Sequence, residues 1–321
     1  MVDKNVVDTD HIEKNGRRKK MKVLLYQVDG KIPNLALRKY GGFFKEKGYD
    51  VFYDPHKCIN PDLVKISCIF KWNAPIGKGI ATMFSCPVEL GGSGISGKVK
   101  LPEKVEHHMP DYKGMDFSMG FTSRGCIRNC DFCDVWRNEG LFREHASIEE
   151  FWEPKHNKVV FFDNIFNASK LMEKKLKFCH DHELKVSITQ GVDARLINRN
   201  QAKIISRYFP YFNWKFNDVV LYTAWDRLND EPLILRGIQN LISMGIPPRR
   251  IRVYMLVGFN TTIAEDQYRF DKLRTLGVYP FIMPYDNKPH PMKRWGQRPA
   301  LFKKISYEKW HQIRVKMGRS Y

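Results

Sequence analysis

Residues 120–133 read GFTSRGCIRNCDFC, which puts three thiols, Cys126, Cys130 and Cys133, in eight positions with the spacing C-x3-C-x2-C. Thiolates this close on one loop can each hold one iron of a cubane iron–sulfur cluster. The fourth iron is then left without a protein ligand, and an open position on a metal is where a substrate or cofactor binds. Structural zinc held by three cysteines and a histidine is the competing chemistry. The nearest histidines, His107, His108 and His145, stand at no tight ligand spacing. Chance proximity of buried thiols is a third reading.

Working outward, the cysteines follow a strand candidate, FSMGFTS (117–123), which is the first of a series. KVVFFD (158–163), KVSITQ (185–190), DVVLYT (218–223), RIRVYMLVG (250–258) and YPFIMPY (279–285) continue it. Helical segments lie between the later strands. Ser147 with Glu150 and Thr262 with Glu265 read as capping boxes. A further helix starts near Asn167, and another ends at Gly245. Six β/α units at a spacing of roughly thirty residues predict a parallel barrel or partial barrel. The cysteines then fall on the C-terminal side of the first strand, where such folds place active sites.

With the aromatic Phe132 just before the third cysteine, the motif resembles the signature of the radical S-adenosylmethionine (SAM) enzymes. The resemblance extends through 117–287. It implies a partial (β/α)6 TIM-type barrel and a [4Fe–4S] cluster on Cys126, Cys130 and Cys133, with SAM bound to the open iron through its amino and carboxylate groups. Reductive cleavage of SAM would give a 5′-deoxyadenosyl radical that abstracts hydrogen from a substrate. An external electron donor such as flavodoxin or ferredoxin is implied as a partner. In this family the ring at Phe132 sits beside the adenine. Asp163 and Asn164, at the end of the second strand, take the place of a Gly-Gly-Glu-like segment that binds the SAM amino group. The glycines are absent here, and an ordinary Asp/Asn turn is the alternative. Gln190, Gly191, Asp193 and Arg195 form a Gln-Gly-x-Asp-Ala-Arg run found in several radical SAM groups. Arg195 would meet a carboxylate in two-point fashion, or pair internally with Asp193. Asp226 would accept from the SAM ribose hydroxyls, or cap the helix beyond it. Gly258, in Val257-Gly258-Phe259-Asn260, resembles the segment whose backbone lies along the adenine. Tyr285, Asp286 and Asn287 end the last strand as further contacts.

An earlier series, VLLYQV (23–28), YDVFYD (49–54), LVKISCIF (63–70) and CPVEL (86–90), predicts a parallel, doubly wound sheet over 21–110. A helix opens at Pro33-Asn34 and runs to Gly48. These residues, with Ile66-Ser67-Cys68-Ile69 and the loop Gly91-Gly92-Ser93-Gly94, resemble the Rossmann-like domain that precedes the barrel in cobalamin-binding radical SAM enzymes. Cobalamin is the cofactor this implies, and a cobalamin-dependent methyltransferase the activity. A cofactor-free scaffold or substrate-binding domain is the alternative, because the usual Asp-x-His-x-x-Gly is missing after the first strand. The one Asp-x-His, Asp54-Pro55-His56, follows the second strand and lacks the glycine. Cys58, Cys68, Cys86 and Cys179 form no cluster spacing and read as small buried apolar residues.

Around these domains stand a polar arm (1–20) and a C-terminal extension (288–321) with a short helix expected near 306–317. Over its 321 residues the chain carries 54 Lys and Arg against 35 acids, a net charge of +19. The extension holds ten of the bases and the single acid Glu308. That surplus favours a polyanionic partner such as nucleic acid, against a merely solvated face. A zinc-containing nucleic-acid-binding protein is therefore the rival from another class. Seven cysteines, an odd number, do not read as a disulfide framework. No apolar run approaches the length of about eighteen residues that crosses a bilayer, and the first twenty residues lack the apolar stretch of a secretory signal. A cytoplasmic location and no membrane partner are the expectation.

Overall fold

The computed structural model describes residues 20–296, Lys309 and Gln312. The arm expected over 1–20, apart from Lys20, and most of the extension with its expected helix lie outside the described residues. The chain divides into two compact units, Met1–Lys113 and Gly114–Tyr321.

In the first unit the strands β1 (Lys22–Gln27), β2 (Asp50–Phe52), β3 (Leu63–Ser67) and β4 (Val88–Gly91) form one parallel sheet in the order β2-β1-β3-β4. Successive side chains of a strand point to opposite faces, so β1 supplies two cores. Val23 and Leu25 pack with Leu37 and Phe44 of helix α1 (Leu35–Glu46) on one face. Leu24 packs on the other with Val64 and Ile66, and Ile80 of α2 (Ala74–Ala81) covers it. Helix α1 starts where Asn34 caps it, its side chain accepting from Leu37 N at 3.1 Å. It stops before Gly48, whose φ of +81° suits a residue without Cβ. A four-residue helix, α3 (Glu103–Glu106), precedes the end of this unit.

The second unit holds two parallel three-stranded sheets. One is β5 (Ser118–Gly120), β8 (Lys158–Phe161) and β9 (Lys185–Ile188); the other is β10 (Leu221–Ala224), β11 (Ile251–Val257) and β12 (Tyr279–Pro284). A short antiparallel pair, β6 (Ser123–Arg124) with β7 (Arg143–Glu144), lies between β5 and β8 in the chain. The two sheets meet just past β9, where Val192 N donates to Tyr222 O at 2.9 Å. Gly191 makes this crossing possible: its φ is +80°, and a Cβ there would lie 2.4 Å from Tyr222 O. One continuous core underlies both sheets, including Val159, Phe161, Ile188, Leu221, Val253 and Val257. Helices α5 (Met172–Asp181), α6 (Arg199–Arg207), α7 (Glu231–Ser243) and α8 (Ile263–Thr275) add Leu176, Ile205, Ile238 and Phe270. On β11 burial alternates, and the less buried face carries Arg252, Tyr254 and Leu256. Tyr254 stacks on Tyr222 at 5.1 Å. The fold is thus α/β with parallel sheets, its unit-2 strands lying in chain order within each sheet.

Two local expectations are corrected. Ser147 opens only a 3-10 turn, Ile148–Glu150, and makes no side-chain cap bond. Ile148 and Phe151 fix that turn by burial in the core, and the chain runs on into β8 without an α-helix. Asn167 starts no helix either. It lies in the 3-10 turn Phe166–Ala168 with its side chain buried, and α5 begins at Met172. The Thr262–Glu265 capping box is present at the start of α8.

The ends of β10 and β11 are tied by a fully buried ion pair, Arg269 with Asp266 on α8. Arg269 donates to Trp225 O at 2.7 Å and Leu256 O at 2.6 Å, while Asp266 accepts from Gly258 N at 3.3 Å. Removing Arg269 leaves the buried Asp266 carboxylate with only His290, at 3.5 Å, to pair with it among the described residues, and breaking such a buried pair costs about 3–5 kcal/mol. Arg269→Met should therefore lower the unfolding free energy in urea by about that amount. The double variant with Asp266→Leu should recover part of the loss. A change in the single variant within the noise of the extrapolation would contradict this role.

Candidate metal centre on the cysteine loop

The cysteines lie on a closed excursion of the chain between β5 and β8. Its two arms pair as β6 and β7, matching Ser123 with Glu144 and Arg124 with Arg143. His145 N donates to Thr122 O at 2.9 Å and closes the stem. Above it, Cys126 N donates to Gly140 O and Phe142 N donates to Cys126 O, each at 3.2 Å. The chain approaches itself so closely that a Cβ on Gly125 would lie 2.2 Å from Leu141 O. Arg124 Nη1 donates to Glu139 and lies 3.2 Å from each of its carboxylate oxygens. Cys133 leads directly into the short helix α4 (Val135–Glu139).

Groups from outside hold this stem. Asp163, at the end of β8, is fully buried and accepts from Thr122 N at 3.1 Å, Thr122 Oγ1 at 2.6 Å and Ser123 Oγ at 2.5 Å. Its neighbour Asn164 accepts from Gly125 N at 3.1 Å. On the other arm, Glu144 accepts from Ser169 Oγ and from Lys175 Nζ, both at 2.6 Å.

The end of β9 reaches the segment between the first two cysteines. Asp193 accepts from Arg128 Nε at 2.8 Å and from Arg195 Nε and Nη2 at 2.8 and 3.0 Å. Burial alone would raise its pKa, but the two guanidiniums outweigh it and hold the carboxyl below the usual range. Arg195 also donates to Asp230 at 2.8 Å, so its fork is engaged by protein carboxylates. Of the two readings of Arg195, the internal pair is the one present. Asn167 fixes Asp193 through the backbone, accepting from its N at 2.7 Å and donating to its O at 3.1 Å. Gln190 points to solvent beside this cluster.

The second sheet contributes at the far side of the loop. Phe132 meets Phe259 edge-on at 5.5 Å, and Phe259 meets Tyr285 at 4.7 Å. The Arg227 guanidinium lies 5.8 Å from the Phe132 ring centre and 3.4 Å from Asp131. Asp226 accepts from Leu256 N at 3.3 Å and caps no helix. Gly258 has a φ of +73°, and a Cβ there would meet the His290 ring at 3.3 Å. The sequence reading missed Thr122, Ser123, Arg128, Asn167 and Arg227. Arg128, between two cysteines, and Arg227, next to Asp226, carried a positional signal; the others carried none.

The three thiols are half-buried. Burial raises the pKa of Cys126 and Cys133, and the neighbouring thiols add to it: Cys130 acts on Cys126, and both others act on Cys133. Among the described residues no three His, Cys, Asp or Glu side chains are gathered tightly enough to hold a metal ion. The stem is thus fixed by groups on both of its arms. Elsewhere, Cys58, Cys68 and Cys179 are buried and Cys86 is half-buried. Asp54 caps a 3-10 turn by accepting from His56 N at 3.0 Å, so the one Asp-x-His is a local turn. Glycines of the 91–94 loop press on the chain after β3: a Cβ on Gly92 would lie 2.3 Å from Cys68 O. No protein-family model matches the chain, and no curated protein matches it either.

Burial pushes the Asp226 carboxyl up to about 6, only partly relieved by the Leu256 N–H and by Arg269 and Arg195. The folded chain therefore holds this proton more tightly than the unfolded chain. The contribution favours folding at acid pH and is lost as the pH rises from about 4 to about 6. In the metal-free protein, Asp226→Asn should be more stable than the parent at pH 7.5 by roughly 2–3 kcal/mol. Denaturation at a series of pH values should show the gap closing toward about pH 4. A gap that stays constant with pH would contradict the shift.

Proposed function

We propose that the chain is a radical SAM enzyme. The supporting observation is that the loop bearing Cys126, Cys130 and Cys133 takes contacts from the C-terminal ends of four other strands: Asp163 and Asn164 after β8, Asp193 after β9, Arg227 after β10 and Phe259 after β11. In parallel β/α architectures that end of the strands is where sites are built. The finer fold that accompanies this reading is a partial (β/α)6 barrel over 111–287, preceded by a Rossmann-like unit over 21–110.

The donor set fits the cofactor. Three thiols on one loop feel one another electrostatically, and a metal drawing them together would relieve that mutual repulsion between thiolates. Cys126, Cys130 and Cys133 would hold a [4Fe–4S] cluster, which would pass one electron from an external donor to SAM and cleave it to methionine and a 5′-deoxyadenosyl radical. The residues around it have separable tasks. Asp163 and Asn164 fix the stem. Arg128 donates its backbone N–H to the Cys126 sulfur at 3.4 Å and ties this segment to Asp193 through its guanidinium. Phe132 and Phe259 exclude water from one side. In this reading Asp226 would accept from a ribose hydroxyl. Flavodoxin or ferredoxin is the class of electron donor. The net charge of +19 supports a polyanionic substrate such as nucleic acid.

Replacing Cys126, Cys130 or Cys133 by Ala should abolish both iron retention and 5′-deoxyadenosine formation after anaerobic reconstitution. Cys58→Ala and Cys179→Ala should retain both. Metal analysis of protein purified without oxygen separates the rival chemistry. Iron and sulfide near four per chain support the proposal. Stoichiometric zinc in a colourless protein would replace it with a structural zinc site.

A further inference from the structure

We infer that Asp163 is a positioning residue that sets the stem of the cysteine loop before any metal is bound, and that it does not contact SAM. The inference rests on the proposed function only in naming a cluster as the ligand of the loop. Its basis is geometric. The Asp163 carboxylate is fully buried, and its three hydrogen bonds all come from Thr122 and Ser123, within four residues of Cys126. Three of the roughly four lone-pair sites of a carboxylate are taken, and the full burial of Asp163 closes the remaining one to a ligand. Asn164 spends its side-chain oxygen on Gly125 N, one residue before the cysteine.

The other arm is treated the same way. Ser169 and the buried Lys175 hold Glu144, which pairs with Ser123 across the stem. Both arms are therefore clamped by groups outside the loop. The stem is ordered by the protein's own groups before any metal is bound. Ordering backbone residues costs conformational entropy. A stem fixed beforehand removes that cost from metal binding, and a loosened stem returns it.

The test begins with metal-free protein. Alkylation of each cysteine is followed by mass spectrometry in the parent, Asp163→Asn and Thr122→Val. Asp163→Asn keeps one acceptor oxygen but turns an N–H donor toward the donors of the stem. Its Cys126 should be alkylated about tenfold faster, with Cys179 unchanged. Thr122→Val removes one donor without touching the carboxylate and should shift Cys126 in the same direction by less. After reconstitution, the Asp163→Asn chain should lose iron to a chelator faster, while SAM affinity per bound cluster stays at the parent value. Unchanged Cys126 reactivity in both variants overturns the inference. So does a variant with full iron and weakened SAM binding, which would assign Asp163 to the ligand. If Asp163→Asn does not fold, Thr122→Val carries the test. If the parent takes up no iron–sulfur cluster, the proposed function fails, and the alkylation rates still decide whether Asp163 sets the stem.

Discussion

The carboxylate of Asp163 is buried among hydrogen-bond donors and has, among the described residues, no ion-pair partner. A buried charge is tolerated only when its lost hydration is replaced. Here the replacement comes wholly from Thr122 and Ser123, so the end of β8 and the start of the cysteine loop cannot separate without exposing or orphaning that charge. This is the constraint on which the rest of the site depends. It converts the parallel register of β5 and β8, Met119 opposite Val160, into a fixed origin for the loop. Charge-assisted bonds of this kind are about twice as strong as neutral ones, which suits a joint that must hold before a metal arrives.

From that origin the loop is drawn across the strand ends by weaker and more various contacts. Asp193 takes two guanidiniums, and Asp230 balances the second, so two Arg and two Asp form a nearly neutral group beside Cys126. The second sheet adds rings and a cation in place of carboxylates. Its own ends are held by Arg269 and Asp266, whose bonds reach Trp225, Leu256 and Gly258. Arg227 and Phe259 thus stand close in sequence to backbone that a separate buried pair ties down. The arrangement puts rigidity under the site and leaves the thiols half-exposed.

Much of this architecture was legible because parallel strands buried on two faces announce themselves as apolar runs. KVVFFD and RIRVYMLVG could be placed within a residue or two at their starts, and β8 and β11 begin at Lys158 and Ile251. Asn34 and Thr262 declared their helices because capping is local chemistry. Ser147 carried the same pattern without the bond, since Ile148 and Phe151 were committed to the core first. The cysteine spacing was local too, and so it could be read. What could not be read were partners far apart in the chain. Nothing at Asp163 says that its donors stand some forty residues earlier, and nothing at Asn167 says that it will grip the backbone of Asp193. Arg195 shows the limit most clearly: its type fitted either a ligand carboxylate or Asp193, and only the placement of Asp230 brings a second protein carboxylate to it.

The account turns on whether the three cysteines hold a cluster that SAM can reach. Electron paramagnetic resonance of the anaerobically reconstituted, chemically reduced protein, recorded with and without SAM, tests this most directly. The expected result is a reduced [4Fe–4S] signal that changes shape when SAM is added and is absent from Cys130→Ala. A cluster signal indifferent to SAM, or a protein that binds zinc and gives no signal, would contradict it.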